Sequence, residues 1–350
     1  MEFRLSRVRQ WRNTKWLHSN CWSVVSVLVL LSLTGCSSIP SVGSPLETVV
    51  VGPGPEDIDF DVDQAGLQTI LVSCSERRKG FTPAGYSPCS EIGKLDIESR
   101  NYHPLCRVNE PDDLHFDPHG IDLVRLDGEL FLYVISHNDD CNQHLILRYR
   151  VQADCLVFDC QYRCDELLVS PNAIAVFPDG GFLVTNDARI RNSVFRKNCS
   201  VIYCDPAGNF QIAANGIGMA NGIHIEGDKV FVAASLDNCV YSFDFCCQQL
   251  INRCVVAKVK GPDNIRPFKG GLLLACHVSP MAFLAHSFDY CRPAPSVVYW
   301  IDLDSCQMKT VYGEKGCTIS AASTGIIVDG ELILSQVFNP HLLVAIPQLD

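Results

Sequence analysis

The sequence of 350 residues has little charge, and the charge that it has is unbalanced toward acid. Charged residues make up 19% of the chain, and 28 Lys and Arg stand against 39 Asp and Glu, which gives a net charge of −11. A nucleic-acid partner would require a basic stripe or patch, so this deficit of positive charge excludes that class of function. An acidic chain suits a soluble exported protein that binds a cation.

Two other features are missing: a long stretch of helical periodicity, and a Gly-x-Ser-x-Gly elbow of the kind that serine hydrolases use. Short runs rich in β-branched residues recur instead, separated by Asp-Gly and Gly-Gly pairs. Such runs are typical of strands joined by tight turns. With 47% hydrophobic residues, the chain can bury a large core. The composition therefore predicts one all-β body.

The amino-terminal segment has the pattern of an export signal. Basic residues from Arg4 to Lys15 precede an uncharged apolar run at residues 24–33, which is too short to span a bilayer comfortably. The run closes on Leu33-Thr34-Gly35-Cys36, which resembles the lipobox of bacterial lipoproteins. We expect a signal peptide over residues 1–35, lipid on Cys36 that anchors the exported chain to a bacterial membrane, and a flexible tether over residues 36–50. An uncleaved signal anchor is the alternative.

Cysteine is abundant, with 19 residues scattered along the chain. Without Cys21 in the signal segment and Cys36 in the lipobox, 17 remain, an odd number whose disulfide connectivity cannot be deduced. The pairs Cys160/Cys164 and Cys246/Cys247 lack a matching His or Cys pair at the spacing of zinc sites. Most of these thiols are interpreted as buried and free.

One pattern returns six times between residues 51 and 350: a small turn, an isoleucine, a tight turn such as Asp127-Gly128, and then several apolar residues. The isoleucines are Ile58, Ile121, Ile174, Ile223, Ile265 and Ile326, spaced by 42 to 63 residues. Each interval has room for one four-stranded antiparallel sheet. Sheets of this size arranged radially bury both faces against their neighbours. The repeat predicts a six-bladed β-propeller of four-stranded antiparallel sheets over residues 51–350.

The positions just before each repeated isoleucine are rich in oxygen. In a propeller the innermost strands line the central channel, so these side chains converge on one axis. They are Glu56, Asp57, His119, Asn172, Asn221, Asp263 and Asn264. Carboxylate and amide oxygens brought together are ligands for a hard cation such as calcium, rather than for zinc or copper. Taken singly, each Asn or Asp could be an ordinary turn residue, but their shared phase in the repeat indicates a site.

These residues belong to motifs that resemble the paraoxonase/arylesterase family of calcium-dependent lactonases, within the wider gluconolactonase-like propellers. The resemblance runs from about Gly54 to Ile346. The motifs, in the family's order and at nearly its spacing, are Gly54-Pro55-Glu56-Asp57, Phe116-Asp117-Pro118-His119-Gly120-Ile121, Val134-Ile135-Ser136-His137, Thr185-Asn186-Asp187, Ala220-Asn221-Gly222-Ile223, Asp263-Asn264-Ile265 and Cys276-His277.

The resemblance implies a calcium-dependent hydrolase of lactones and aryl esters. A catalytic calcium ion would be held by Glu56, Asn172, Asn221, Asp263 and Asn264. His119 would be the general base, His137 would orient it or shuttle the proton, and His277 would be a further active-site histidine. Asp263 is itself a candidate base or nucleophile. The resemblance also implies that loops near residues 74–109 and 188–199 determine substrate specificity.

A second, structural calcium ion is also implied, with Asp57 and the backbone carbonyl of Ile121 as ligands. Its third ligand position, an aspartate in the family, is Ala173 here, and we expect the loss of that carboxylate to weaken the site. The family's disulfide between the two termini has no counterpart, because no cysteine follows Cys317.

Two other functions stay open. A sugar-lactone hydrolase of the gluconolactonase type shares the propeller and a carboxylate/asparagine metal site, although the pair His119/His137 favours the lactone and aryl-ester hydrolase. A catalytically silent propeller that serves as an envelope binding module is the second alternative, for which Ala173 and the cysteine-rich blades give mild support. The sequence indicates no protein partner.

Overall fold

The computed structural model describes residues 39–349, apart from residues 65, 67, 79–89, 139–142 and 191–195. The signal peptide and the lipobox cysteine therefore lie outside the described residues. No helix in the described ranges has the length and apolar character that a bilayer crossing requires.

The chain forms a six-bladed β-propeller, as the repeat predicts. After the first strand, β1 (Ser44–Val50), the strands follow one another blade by blade. Blade 1 has β2 (Pro55–Val62), β3 (Gln68–Cys74), β4 (Glu91–Asp96) and β5 (Asn101–Pro104); blade 2 has β6 (Cys106–Val108), β7 (Pro118–Leu126), β8 (Glu129–Asn138), β9 (Gln143–Gln152) and β10 (Cys155–Arg163); blade 3 has β11 (Pro171–Val176), β12 (Phe182–Asn186), β13 (Cys199–Cys204) and β14 (Phe210–Ile217).

The second half of the chain continues the same order. Blade 4 has β15 (Ala220–Glu226), β16 (Lys229–Ala234), β17 (Cys239–Cys246) and β18 (Gln249–Lys258); blade 5 has β19 (Pro262–Phe268), β20 (Gly271–Cys276), β21 (Ser296–Asp302) and β22 (Met308–Glu314); blade 6 has β23 (Ala322–Val328), β24 (Glu331–Gln336) and β25 (His341–Ile346) with β1. One α-helix, α1 (Pro280–Phe288), lies between β20 and β21 in this part of the chain.

The ring is closed by the two ends of the propeller chain. β1 pairs antiparallel with β25 as the outermost strand of blade 6. The sequence placed residues 44–50 in the flexible tether, whereas the structure places them in a sheet. The physical reason is that the end of the chain supplies only three strands to blade 6, and β1 completes the sheet as the fourth strand, with Val49 buried in the core between blades 6 and 1. The first strand therefore begins at Ser44, within the segment that the sequence assigned to the tether.

Tight turns connect the strands where the sequence predicts them. Asp127 and Gly128 join β7 to β8 with φ of 50° and 86°, and Asp329 and Gly330 join β23 to β24 with φ of 50° and 84°. Two successive residues with positive φ form the turn that matches the twist of a two-residue hairpin. Each Asp-Gly pair therefore fixes the register between an inner strand and its neighbour.

Among the described residues the apolar core forms one cluster between each pair of adjacent blades, six in all, and a smaller seventh cluster around Phe338. The repeated isoleucines lie in this core, and none is more than 2% exposed. Strands alternate their side chains between two faces, so each sheet contributes apolar residues to both neighbouring clusters. The inner strands β2, β7, β11, β15, β19 and β23 pack in sequence around the axis, and β23 contacts β2 to complete the ring.

Candidate active site

Each of the six inner strands has a break in its register at the same end of the propeller. The breaks fall between Pro55 and Asp57, Pro118 and Ile121, Pro171 and Ile174, Ala220 and Ile223, Pro262 and Ile265, and Ala322 and Gly325. Bulges of this kind change the direction in which side chains point and are common beside active sites. The residues within them include Glu56, His119, Asn172, Asn221 and Asp263, so one backbone device repeated six times positions the predicted site.

Two glycines allow the inner strands to approach one another closely at this end. A Cβ atom on Gly120 would lie 2.4 Å from the backbone oxygen of Asn172, and one on Gly222 would lie 2.4 Å from that of Asp263. Any side chain at either position would push neighbouring blades apart. The site residues of adjacent blades are therefore held near one another by backbone contact.

A cavity of about 550 Å³ opens at this end of the channel. Seven of the residues predicted from the sequence line it: Glu56, His119, His137, Asn172, Asn221, Asp263 and His277. Donors from five separate blades thus meet at one place. Asn264 lies in the same bulge as Asp263, and its Nδ2 donates to Thr324 Oγ1 at 2.9 Å and to Ser323 Oγ at 3.3 Å.

Asp263 is the most heavily bonded carboxylate of the cavity and is only 3% exposed. Its Oδ1 accepts a hydrogen bond from Asn221 Nδ2 at 2.6 Å, and its Oδ2 accepts one from Ser323 Oγ at 2.7 Å. His277 Nε2 lies 2.8 Å from the same Oδ2. Three neighbours therefore fix the orientation of this carboxylate. Ser323, which belongs to the bulge of blade 6, orients Asp263 directly.

Asn221 provides the test of whether the cavity fits a calcium ion. Its side-chain oxygen Oδ1 is buried and has no hydrogen-bond partner, and a buried carbonyl oxygen without a partner is costly. The neighbouring donors are the carboxylates of Glu56 and Asp263 and the amide of Asn172, all oxygen ligands that calcium prefers. No three His, Cys, Asp or Glu side chains cluster as a metal site within the described ranges, but a shell in which amides supply part of the ligands does not need such a cluster. The residues present fit calcium.

Glu56 lies between two cationic or basic partners. Its Oε2 is 2.6 Å from the Nη2 atom of Arg77 and 2.6 Å from Nε2 of His119. Burial disfavours the charged form of this carboxyl group, but Arg77 and His119 outweigh burial and lower the pKa of Glu56 below its ordinary value. Glu56 is therefore a carboxylate at neutral pH, as a ligand of a divalent cation must be.

A line of three histidine rings leads away from Glu56. His119 Nδ1 lies 2.7 Å from His137 Nε2, and His137 Nδ1 lies 3.0 Å from His144 Nδ1. His137 and His144 face each other across the hairpin of β8 and β9. His144 is fully buried. Each ring pair shares one proton, so the arrangement can pass a proton between the cavity and the interior of blade 2.

The position of the second calcium ion contains a guanidinium group instead. Arg266 Nη2 donates to Asp57 Oδ1 at 2.9 Å and to the backbone oxygen of Ile121 at 3.0 Å. These are the two oxygens that the sequence assigned to a structural metal. A guanidinium group has no acceptor and cannot be a ligand of a metal, so the residues present do not fit a second calcium ion. These contacts argue against Asp57 and Ile121 as ligands of a second metal ion.

Comparison with known families is consistent with this geometry. Residues 94–345 match a family model described as Arylesterase, which covers most of the propeller. The chain belongs to the arylesterase family. At the level of the family, this membership and the propeller fold support a hydrolase of esters or lactones.

Arylesterase relatives align with most of the chain at low identity. Serum paraoxonase/arylesterase 2 of Canis lupus familiaris is 25% identical over 310 residues, covering 83% of this chain and 85% of the relative. The protein of the same name from Gallus gallus is 26% identical over 308 residues with the same coverage. Among solved structures, a gluconolactonase from Xanthomonas campestris has a TM-score of 0.57 at 14% identity and covers 90% of this chain and 99% of its own. A luciferin-regenerating enzyme has a TM-score of 0.53 at 13% identity, with coverage of 87% and 95%. These two structures share the fold.

Sequence reasoning missed several side chains that line this cavity. Arg77 and Arg196 line the cavity from the two segments that were expected to hold specificity loops. Helix α1 supplies Pro280 and Phe283 to the cavity wall, and Phe283 packs against the His277 ring with 4.4 Å between centroids. The sequence does carry a signal for α1, because Ser279 caps the helix and Pro280 occupies its first turn.

Proposed function

We propose that the chain is a calcium-dependent hydrolase of lactones and aryl esters. The observation that carries the proposal is the buried Oδ1 of Asn221 without a hydrogen-bond partner, in a cavity that it shares with the carboxylates of Glu56 and Asp263. A cation at this point would satisfy the amide oxygen and balance both negative charges. Membership of the arylesterase family supports the same reading.

Glu56, Asn172, Asn221 and Asp263 would hold the ion, with Asn264 from the same bulge as Asp263. When bound, calcium would supply positive charge that polarises the carbonyl group of an ester and stabilises negative charge on its oxygen. Ser323 and His277 keep the Asp263 carboxylate oriented through contacts at 2.7 and 2.8 Å. These contacts pre-organise the ligand set before substrate arrives.

His119 is the side chain best placed to remove a proton from water. Its Nδ1 contacts His137, and its Nε2 lies 2.6 Å from the Glu56 carboxylate, to which it donates. Nε2 could accept a proton from water only once Glu56 holds the proposed ion instead and the ring carries its hydrogen on Nδ1. A proton accepted at Nε2 is matched by one released from Nδ1 to His137, and His137 can release one from its own Nδ1 to His144. The positive charge can then move along the three rings, away from the cavity.

Apolar side chains form part of the cavity lining: Met219, Leu236, Phe283 and Val337. An apolar lining favours an aryl group or an alkyl-substituted lactone. Together with the pair His119/His137, it supports the lactone and aryl-ester hydrolase over the sugar-lactone alternative.

The chain is further proposed to be exported and anchored to a bacterial membrane by lipid on Cys36. The basic segment, the short apolar run and the lipobox resemblance support the proposal. The disulfide between Cys106 and Cys155 also suits an oxidising compartment outside the cytoplasm. Cell fractionation of a Cys36→Ser variant tests it: the variant should leave the membrane fraction, and retention there would contradict lipid anchoring.

The activity is tested with the full chain purified in detergent. Phenyl acetate, alkyl-substituted γ- and δ-lactones and gluconolactone are assayed in the presence of a calcium chelator and after calcium is restored. We expect turnover that the chelator abolishes and calcium restores, with alkyl-substituted lactones preferred to gluconolactone.

Asp263→Asn should reduce that turnover by at least roughly 100-fold. The matched control is Asp304→Asn, at an exposed position on blade 5, which should behave as the wild type. Turnover that survives chelation would overturn the role of calcium. Turnover of none of these substrates would favour the catalytically silent propeller.

A further inference from the structure

Arg266 lies deep in the propeller channel, where the sequence predicted a second metal ion. The residue belongs to β19 of blade 5, and its side chain is 7% exposed. Its Nε donates to the backbone oxygen of Ile58 at 2.9 Å, and its Nη2 donates to Asp57 Oδ1 and to the oxygen of Ile121. Arg266 thus crosses the channel from blade 5 to blades 1 and 2.

The Asp57 carboxylate already accepts four hydrogen bonds. Its Oδ1 accepts hydrogen bonds from Arg266 Nη2, from Thr324 Oγ1 at 2.9 Å and from its own strand at the Ile58 amide. Its Oδ2 accepts the backbone amide of Ile121 at 2.9 Å. A calcium ion would have to displace several of these donors, each of which would then be buried without a partner.

Two more carboxylates complete an acidic group around the same guanidinium. Asp59 Oδ1 lies 3.5 Å from Arg266 Nε, and Asp59 Oδ2 accepts the backbone amide of Leu123. Asp122 accepts the backbone amide of Val176 at 2.8 Å. These acids therefore join blade 1 to blade 2 and blade 2 to blade 3 through backbone amides, and Arg266 supplies the positive charge that such a buried group requires.

A guanidinium group suits this position better than a weakly held ion. It stays charged at every pH at which the protein is folded, and its N–H groups are directed at several oxygens at once. It is also covalently attached, so it cannot be removed by dilution or by a chelator. A calcium ion in addition to Arg266 would bring two positive centres into hydrogen-bond distance of the same oxygens, where they would repel each other.

We propose that Arg266 replaces the structural calcium ion of this fold, so that the chain binds a metal only at the cavity end of the channel. The positive charge that holds the inner strands together is then carried by a side chain of the protein and not by a bound ion. Stability of the inner channel does not depend on dissolved calcium.

The test distinguishes the inner position at Arg266 from the proposed metal site in the cavity by disabling the cavity site first. Asp263→Asn disables the proposed catalytic site, and Arg266→Met in that background empties the inner position while leaving Asp57, Asp59 and the oxygen of Ile121 in place. Thermal unfolding of both full-length variants is measured with chelator and with calcium chloride. We expect calcium to leave the melting temperature of D263N unchanged and to raise that of D263N/R266M by about 5 °C, because the exposed oxygens now bind the ion.

The matched control is Arg292→Met in the same background, since Arg292 has 69% of its side chain exposed. It should show no response to calcium. A calcium response in D263N alone, or an R266M response no larger than that of R292M, would overturn the replacement. If R266M does not fold, metal analysis of the wild type decides: two calcium ions per chain overturn the proposal, and one supports it. A wild type without bound calcium contradicts the proposed function but agrees with replacement of the inner ion.

Discussion

His119 Nδ1 lies 2.7 Å from His137 Nε2, and the two rings meet edge to face with 4.9 Å between centroids. The pair joins strands β7 and β8 of blade 2, and β9 extends it with His144. His119 alone would have to return each accepted proton to the cavity. In the proposed hydrolysis, the two further rings would let an accepted proton move on toward the interior of blade 2.

His144→Gln is expected to lower kcat by about tenfold, less than the roughly 100-fold expected for His119→Gln. His144 does not line the cavity, so it is a positioning residue and KM should be unchanged. The pH profile of kcat should shift in the variant, because the proton shared by the rings has lost one acceptor. Steady-state kinetics with phenyl acetate between pH 5 and pH 9 measures both effects.

The control for this variant is His103→Gln, which removes an exposed histidine and should preserve kcat and the pH profile. A His144 variant with a lower kcat but an unshifted profile would show that the residue only supports packing.

Ser323→Ala is expected to weaken calcium binding by roughly tenfold without unfolding the chain. Ser323 Oγ donates to Asp263 Oδ2 at 2.7 Å, and without this bond the carboxylate is oriented on that side by His277 alone. Calorimetric titration of the chelator-treated protein with calcium measures the affinity. Ser305→Ala, at an exposed position, is the control, and equal affinity in the two variants would refute the role of Ser323.

The number of blades could be predicted because burial repeats. Ile58, Ile174 and Ile326 occupy the same place in blades 1, 3 and 6, and each is enclosed by apolar residues of two sheets. The site could be predicted from the same repeat, because one bulge in each inner strand directs residues such as Glu56 and Asn221 into the cavity. A sequence pattern can convey this information because it depends only on position within the repeat.

The parts that were missed depend on contacts between distant segments. Arg266 follows the repeated Ile265 and, read locally, resembles any charged residue near a strand end. Its role arises only when the ring brings Asp57, more than two hundred residues earlier, within 2.9 Å. His144 became part of the site through cross-strand pairing with His137, which requires the register of a hairpin. Ser44 to Val50 similarly form a strand because blade 6 takes only three strands from the end of the chain and β1 supplies the fourth.

The disulfide Cys106–Cys155 is expected to stabilise blade 2. It joins β6 to β10 and closes a loop with a sequence separation of 49. The loop-closure model gives about 4 kcal/mol for a loop of this length. Chemical unfolding of Cys106→Ser/Cys155→Ser should show a free energy of unfolding lower by up to this amount.

Reducing agent should destabilise the wild type but leave this double variant unchanged. The matched control, Cys246→Ser/Cys247→Ser, removes two exposed cysteines and should respond to reducing agent as the wild type does. If the wild type were insensitive to reducing agent, the disulfide would make no contribution.

The last prediction concerns the pH dependence of stability and follows from His224 on β15. Burial, together with the nearby positive charge of Arg266, lowers the pKa of His224 to about 4. The unfolded chain takes up this proton near pH 6.5, before the folded chain does. The contribution of His224 to the free energy of unfolding is therefore largest above pH 6.5 and decreases as the pH drops toward 4. Below pH 4 it no longer changes with pH.

His224→Gln should make the decline in the free energy of unfolding between pH 7 and pH 4.5 smaller by about 2 to 3 kcal/mol. Urea unfolding at the two pH values measures it, and His103→Gln, at its exposed position, should retain the decline of the wild type. The same experiment in an Arg266→Met background separates the two causes. Removal of the guanidinium charge should raise the pKa of His224, followed by NMR, yet leave it below 6.5 because burial persists. An unchanged pKa would mean that burial alone lowers it and that the charge of Arg266 is already neutralised by Asp57 and Asp59.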